Sequence, residues 1–254
     1  MKVSIITVCY NSAATLANAM DSVLGQSWPD IEYIVIDGGS KDESVEIIRG
    51  YEPRFNGRLH WVSEPDRGIY DAMNKGIRLS TGDVVGILNS DDVMASSDTI
   101  LRMVEAFDED VDAVYGDVRY VKASQPEKCV RFYSSRWFRS SLLSYGFMPH
   151  HASFYARREL FDKFGFYDPT YRISGDFELV ARFIGVHHIR TRYLHQIFVN
   201  MRMGGVSTRG FSSIRIGTDE DLRALRELHI PTCWAKVWIG KYLIKTLSML
   251  LIRS

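Results

Sequence analysis

The chain has 254 residues, enough for one large domain with a sizeable core. Lys plus Arg equals Asp plus Glu at 31 each, so no net field recruits nucleic acid and any basic function must be local. Cys9, Cys129 and Cys233 are far apart and lack metal-site spacing; they exclude a disulfide framework and read as buried thiols in a reducing compartment.

The chain opens directly on strand-like Lys2-Val3-Ser4-Ile5-Ile6 with no leader pattern before it, which predicts a cytoplasmic protein. Val3 to Val8 is the first strand. Leu16, Ala19, Met20, Val23 and Leu24 then recur at helical spacing, with Asn11 and Ser12 upstream as capping residues. Ile31 to Ile36 is a second strand, ending at Asp37-Gly38-Gly39-Ser40, and Val45, Ile47 and Ile48 mark a short helix. Leu59 to Val62 reads as a third strand, residues 69 to 80 as a helix, and Val84 to Leu88 as a fourth, interior strand. Ile100, Met103, Val104 and Phe107 mark one more helix. This alternation argues for a mainly parallel sheet with helices on both faces. Beyond Ala113 to Tyr115 the rhythm fades. Residues 122 to 150 read as irregular, aromatic and basic, with Arg131, Arg136, Trp137, Phe138 and Arg139. So long a connection is either a lid or acceptor loop, or a tolerated insertion.

Polar groups gather where the strands end. Tyr10 and Asn11 follow the first strand, Asp37 the second, and Asn89-Ser90-Asp91-Asp92 the fourth. In a parallel sheet these lie along one rim, where open α/β sheets bind ligands. Adjacent acids at a buried strand end repel and lose solvation unless a cation answers them, which points to magnesium or manganese. The bland alternative is a solvated turn capping the next helix. Neither the Gly-x-Gly-x-x-Gly fingerprint nor a P-loop is present, so a nucleotide diphosphate held through a cation fits better than a bare phosphate cradle. Gly38 and Gly39 would let backbone approach such a ligand closely.

Many ordered matches resemble glycosyltransferase family 2, the inverting enzymes of the GT-A fold. They are Val3-Ser4-Ile5-Ile6-Thr7-Val8-Cys9-Tyr10-Asn11, Gln26-Ser27, Ile36 to Asp42, Ser63 to Gly76, Thr81-Gly82-Asp83 and Asn89 to Asp92. In the second half, His150-His151 before Phe154, Arg157 to Phe161, Ser174-Gly175-Asp176 and Gly204-Gly205-Val206-Ser207 resemble the branch that builds capsule, exopolysaccharide and lipopolysaccharide. The resemblance implies an α/β, Rossmann-like GT-A fold, a nucleotide-diphosphate sugar donor (UDP-sugar by default) and a Mn2+ or Mg2+ cofactor. It implies Asp92 as the metal ligand, Asp91 on the ribose and diphosphate, and Tyr10 and Asp37 along the base. Asp66, Asn74 and Lys75, inside the matched run, join the expected donor contacts, and His150 and His151 are expected at the acceptor. Two departures stand out: Gly38 replaces a second acid common at the strand-two loop, and Asn89 replaces an acid common at the start of the Asp-x-Asp run. The Gly204-Gly205-Val206-Ser207 run is expected to form a tight turn over the site.

Inverting transfer to a hydroxyl needs a group to accept the acceptor's proton. Asp176 is the expected catalytic base, placed by Ser174 and Gly175 in the first turn of a helical run, where the helix dipole favours an acid. The resemblance places the base at the same position; Glu178 is the fallback. His187, His188 and His195 lack partners at zinc spacing and read as surface or core residues. The expected organisation is 1–115 as a nucleotide-sugar half, 116–210 as an acceptor and catalytic-base half, and 211–254 as a helical tail. That tail carries Trp234, Trp238, Tyr242 and many Leu and Ile, interrupted by Lys236, Lys241 and Lys245. It is too broken to span a membrane, which takes ~20 mostly apolar residues. An amphipathic helix on the inner membrane face and a helix packed on protein both remain open. The expected function is transfer of a hexosyl or N-acetylhexosaminyl group to a saccharide or lipid-linked saccharide in polysaccharide biosynthesis. A non-catalytic nucleotide- or saccharide-binding subunit of the same fold is the alternative. A nucleotidyltransferase is a third reading, weakened because no Gly-rich, basic triphosphate loop follows the first strand.

Overall fold

The structure, a computed structural model, describes residues 1–122, 125–203 and 210–250; the Gly204 to Ser207 turn lies outside the described residues. Strands β1 (Val3–Cys9) and β2 (Ile31–Asp37) are buried along their whole length. Alternation sends Ile6, Val8, Ile34 and Ile36 to one face and Val3, Ile5, Tyr33 and Val35 to the other. Both faces therefore need cover. Helices α1 (Leu16–Leu24), α2 (Ser44–Phe55) and α4 (Thr99–Glu105) close the second face with Leu16, Met20, Ile48, Phe55 and Met103. Helix α3 (Ile69–Leu79) closes the first with Tyr70, Met73 and Ile77, joined by α5 (Glu159–Phe164) and α6 (Gly175–Val180). Each Ile or Leu so buried contributes about 1.5–3 kcal/mol.

Strands β3 (Leu59–Ser63) and β4 (Val84–Ile87) flank the first two in the order β3-β2-β1-β4, all parallel. The sheet then changes direction. Strand β8 (Phe154–Arg157) lies antiparallel between β4 and β6 (Ala113–Lys122). Strand β9 (Thr191–Arg202) runs parallel to β6, and short β5 (Val93–Met94) ends the order antiparallel to β9.

Two expectations are corrected. Residues 122 to 150 are not irregular throughout: β7 (Gln125–Tyr133) forms a hairpin with β6, pairing Val118 with Tyr133 and Tyr120 with Arg131. Residues 129 to 133 are part-buried on both faces, so no apolar alternation announces the strand. Asn11 and Ser12 do not cap α1 with their side chains. That helix starts after Thr15, with no side-chain cap, and the backbone oxygen of Ser12 accepts from Thr15 and Leu16.

At the amino ends of the parallel strands, Glu32 is buried. Its carboxylate accepts from Ser4 Oγ at 2.6 Å, Thr81 N at 2.8 Å, Thr81 Oγ1 at 2.7 Å and Lys2 Nζ at 2.9 Å. Burial alone would raise its pKa, but these donors outweigh it and hold the group at about 2, below the ordinary 4.5. The stability this confers is present above pH 4.5 and is lost as pH falls through 2. Glu32→Gln should therefore cost about 2–3 kcal/mol near neutral pH. In urea unfolding the deficit should shrink as pH is lowered through that window; a constant deficit would leave the charge without its assigned role.

Candidate active site

Because β1, β2 and β4 are parallel, their carboxyl ends share one rim, and the loops there are tied together. Asn11 sits in the left-handed region (φ 49°), a conformation Asn tolerates better than most residues. Its N–H donates to Ser40 Oγ at 2.7 Å and its Oδ1 accepts from Lys41 N at 2.9 Å. The hydroxyls of Ser12 and Ser90 meet at 2.9 Å, joining the loop after β1 to that after β4. Asp37 is buried and accepts from Gly39 N, Ser40 N, Ser40 Oγ, Ser63 Oγ and Cys9 Sγ. Burial would raise its pKa, but the donors win and hold it below the ordinary carboxylate range. Burial, and then this same carboxylate, push the Cys9 thiol up, so that thiol stays protonated.

Above this loop lies a cleft of ≈ 430 Å³ lined by Tyr10, Gly38, Gly39, Lys41, Pro65 and Asp66. Tyr10 is 61% exposed and offers a ring face. A Cβ at Gly38 would stand 2.5 Å from Asp66 Oδ2, so a larger residue there would displace that carboxylate. The carboxylate of Asp66 thus occupies the space that a side chain at 38 would need, and its Oδ1 is steadied by Gly68 N at 2.8 Å. Lys75 bridges Glu64 at 2.8 Å and the Pro65 carbonyl at 3.1 Å on the border of this cleft. Asn74 is directed elsewhere. It is buried, and its amide donates to Tyr167 O at 2.8 Å and accepts from Tyr167 N at 2.9 Å, fastening α3 to the segment before α6.

Asp91 and Asp92 follow β4. Asp92 is 1% exposed, and burial followed by the charge of Asp91 pushes it up to about 7. Burial also raises Asp91. The donors to Asp92 are few: Asn89 Nδ2 at 3.1 Å and Arg202 N, from the end of β9, at 3.2 Å. Asn89 Oδ1 is buried and has no hydrogen-bond partner among the described residues. Two carboxylates and an orphaned carbonyl oxygen form a hard-oxygen donor set that fits magnesium or manganese. Among the described residues no group of three or more His, Cys, Asp or Glu surrounds a common point. Magnesium in nucleotide sites is commonly held by one or two carboxylates plus substrate phosphates, so the small set is compatible with one.

The reversal of β8 completes the rim. Running antiparallel to β4, it brings the residues before Phe154 to the carboxyl end of β4. His150 is buried there with both nitrogens engaged: Nδ1 accepts from Ala152 N at 3.3 Å and Nε2 meets Tyr120 Oη at 2.9 Å. Burial, then the neighbouring His151 and Arg131, hold it well below the ordinary histidine range. His151 behaves oppositely. Its Nδ1 lies 2.8 Å from Asp176 Oδ2, and although burial would lower its pKa, Asp176 and then Asp92 raise it. Asp176 Oδ1 accepts from Phe177 N at 2.9 Å. Glu178, the fallback, is buried and paired with Arg182 through bonds of 2.8 and 3.1 Å. His187 stacks on Phe164 at 3.9 Å, in keeping with a structural role.

The segment before Asp176 is held from two sides, which the sequence reading missed. Tyr70 Oη donates to Ile173 O at 2.6 Å and accepts from Gly175 N at 2.9 Å; a Cβ on Gly175 would stand 2.7 Å from that ring. From the other side, Glu220 of helix α7 (Gly210–Glu227) accepts from Arg172 N, Ile173 N and Ser174 N at 2.8–2.9 Å. Next to it Asp221 is fully enclosed; burial pushes it up to about 6, with Lys241 of helix α8 (Trp234–Leu250), at 2.6 Å, limiting the rise. The adjacent acids Glu220-Asp221 in an otherwise amphipathic stretch were the available sequence signal.

A parallel α/β sheet with an acidic rim at its strand ends and an antiparallel extension defines an open α/β protein whose candidate ligand site lies at the strand ends. The family profile of glycosyl transferase family 2 matches residues 4–174. A PGL/p-HBAD biosynthesis glycosyltransferase of Mycobacterium tuberculosis is 35% identical over 212 residues, covering 80% of this chain and 78% of the relative. An uncharacterised glycosyltransferase of the same species is 36% identical over 185 residues, covering 71% and 68%. The chain belongs to glycosyl transferase family 2. Its fold is GT-A, shared with two solved structures. Staphylococcus aureus TarS 1–349 in complex with UDP-GlcNAc gives a TM-score of 0.69 at 17% identity, covering 90% of this chain and 65% of that one. The mannosyltransferase PcManGT from Pyrobaculum calidifontis, in complex with GDP-Man and Mn2+, gives 0.66 at 21% identity, covering 99% and 73%.

Glu220→Ala removes three charge-assisted bonds and should destabilise the protein by about 2–4 kcal/mol. In hydrogen exchange the amides of Arg172, Ile173 and Ser174 should lose protection before the β1 and β2 amides do. Uniform loss across the chain would contradict a local clamp.

Proposed function

We propose that the chain is a metal-dependent, inverting glycosyltransferase. It moves a hexosyl or N-acetylhexosaminyl group from a nucleotide-diphosphate donor, UDP-sugar by default, to a hydroxyl of a saccharide or lipid-linked saccharide in surface polysaccharide assembly. One observation carries the reading: His151 is hydrogen-bonded to Asp176 and feels the charge of the buried Asp92, so the acid that follows β4 and a separate carboxylate from α6 meet at one rim. Residues 1–115 form the donor half and 116–210 the acceptor half. Tyr10 offers its ring face to the base and Asp66, in the space Gly38 leaves open, its carboxylate. Asp37 acts through the loop it organises, Asn74 through Tyr167, and Lys75 from the cleft border. Of the histidine pair, His150 is fixed within the protein and His151 stands nearer the reacting groups.

Asp92, with Asp91 and Asn89 Oδ1, would hold the metal, which when bound neutralises charge on the departing diphosphate. The acceptor oxygen attacks the anomeric carbon opposite the diphosphate. The bond from that carbon to the diphosphate breaks with its electron pair on the leaving oxygen, and the hydroxyl proton passes to Asp176. A single displacement inverts the anomeric centre. A base of this kind contributes ~10²–10⁴-fold. Support for the donor class comes from the complexes named for the structural relatives, with UDP-GlcNAc and with GDP-Man and Mn2+.

Calorimetric titration of UDP, GDP and dTDP, with and without manganese, should show one diphosphate binding in a metal-dependent way, with the heat lost in Asp92→Ala. Asp176→Asn should bind that nucleotide normally and fail in transfer. If the wild type binds none of the three, the donor reading falls and the non-catalytic saccharide-binding reading replaces it.

One side of the tail packs on the domain. Val237 and Gly240 are buried, the latter against the Tyr145 carbonyl, and Lys241 pairs with Asp221. Trp234 and Trp238 stack at 5.9 Å and are about half exposed, as are Ile239 and Leu243. Among the described residues no helix is long and apolar enough to cross a membrane. Stacked tryptophans near Lys236 suit the interface of an anionic bilayer. A peripheral position on the cytoplasmic membrane face would bring the site near a lipid-linked acceptor. The protein should float with anionic liposomes, and the double variant Trp234→Ser, Trp238→Ser should remain in the soluble fraction. Equal flotation of both proteins would rule out this face.

A further inference from the structure

We propose that His151 is a positioning residue for Asp176, holding the carboxylate in one rotamer with one oxygen presented to the acceptor. This rests on the reading of Asp176 as the base. The carboxylate is fixed at both oxygens: Phe177 N holds Oδ1 at 2.9 Å and His151 Nδ1 holds Oδ2 at 2.8 Å. The first contact is local, because Phe177 follows Asp176 in the opening turn of α6. The second contact joins two distant segments, and it is only as rigid as the imidazole that makes it.

That imidazole rests on a braced platform. The His150 ring lies against it with centroids 4.7 Å apart. His150 is itself tied at Nδ1 by Ala152 N and at Nε2 by Tyr120 Oη, and the edge of Tyr133 meets it at 5.2 Å. Tyr133 in turn donates to Met148 O at 2.7 Å, closing the arrangement back onto the segment that carries both histidines. Both members of the His151–Asp176 pair are mostly enclosed, with side chains 22% and 18% exposed, so water competes weakly for the bond. Asp176 approaches from a helix start already held by Tyr70 and Glu220. Each partner of the 2.8 Å bond is thus braced independently, as a device that fixes one carboxylate geometry requires. An acceptor-binding histidine would need no such alignment with Asp176.

The test measures UDP release from UDP-N-acetylglucosamine and UDP-glucose, with water or free monosaccharides as acceptor, in His151→Leu, His151→Asn and Asp176→Ala. Leucine keeps bulk without a donor; the asparagine amide places an N–H near the Nδ1 position. His151→Leu should lower kcat by roughly 10–100-fold, leaving acceptor KM and UDP affinity within about twofold. His151→Asn should recover most of that loss, and His151→Leu should add nothing in the Asp176→Ala background. Should the leucine variant not fold, the asparagine variant still decides. Activity near wild type supports the positioning bond, and a loss as deep as that of Asp176→Ala overturns it. Full kcat in His151→Leu, or a defect confined to KM, overturns the inference while leaving the base intact. Undiminished turnover in Asp176→Ala, or none in the wild type, sinks the base reading and this one with it.

Discussion

The structure depends on one reversal, the antiparallel entry of β8 between β4 and β6. A parallel sheet delivers ligand groups to its rim only from the carboxyl ends of its strands. With β8 inverted, the segment that leads into a strand arrives at that rim as well, and it carries His150 and His151. Strand β9 adds a further contribution: its far end supplies Arg202 N to Asp92. The rim is therefore built from both halves of the chain, although only the first half has the regular alternating pattern.

Charge explains why this rim is costly and why so much of the fold is organised around it. Asp91 and Asp92 repel, and both are raised by burial. Here the close donors are an amide and a backbone N–H. The contrast with Asp37 is instructive. That residue is equally buried yet carries five donors and stays ionised within the loop it organises. One acid is satisfied by close neutral donors; the other pair has few donors, and the charges of Arg202 at Asp91 and His151 at Asp92 offset its burial only in part. Unmet electrostatic demand of this kind marks a binding position better than acidity does.

The sequence showed the first half well for a physical reason. Fully buried parallel strands read as unbroken apolar runs, and the polar residues that end them are local in sequence, so Tyr10, Asp37 and Asp91-Asp92 could be placed on one edge. Long-range pairing left no such trace. The β7 hairpin is half-exposed on both faces, and its apolar residues do not alternate. Asn74 lies in a matched motif, but only the folded chain shows its amide turned to Tyr167, 93 positions away. Gly38 reads as the loss of an acid until Asp66 is found in the space it leaves. His151 and Asp176 were both picked out singly; their bond spans 25 residues and depends on β8 and α6 meeting, which no periodicity encodes.

The tail shows how a surface helix and the segment before Asp176 come to share a scaffold. Lys241 on α8 neutralises Asp221 on α7, and the same helix α7 presents Glu220 to the three amides that precede Asp176. Ser174, within that segment, donates to Gly217 O, so α7 grips it through backbone as well as side chain. Without Lys241, Asp221 would be an enclosed acid with no countercharge, a strain felt one residue from Glu220. The buried side of α8 therefore supports the geometry of the segment before Asp176.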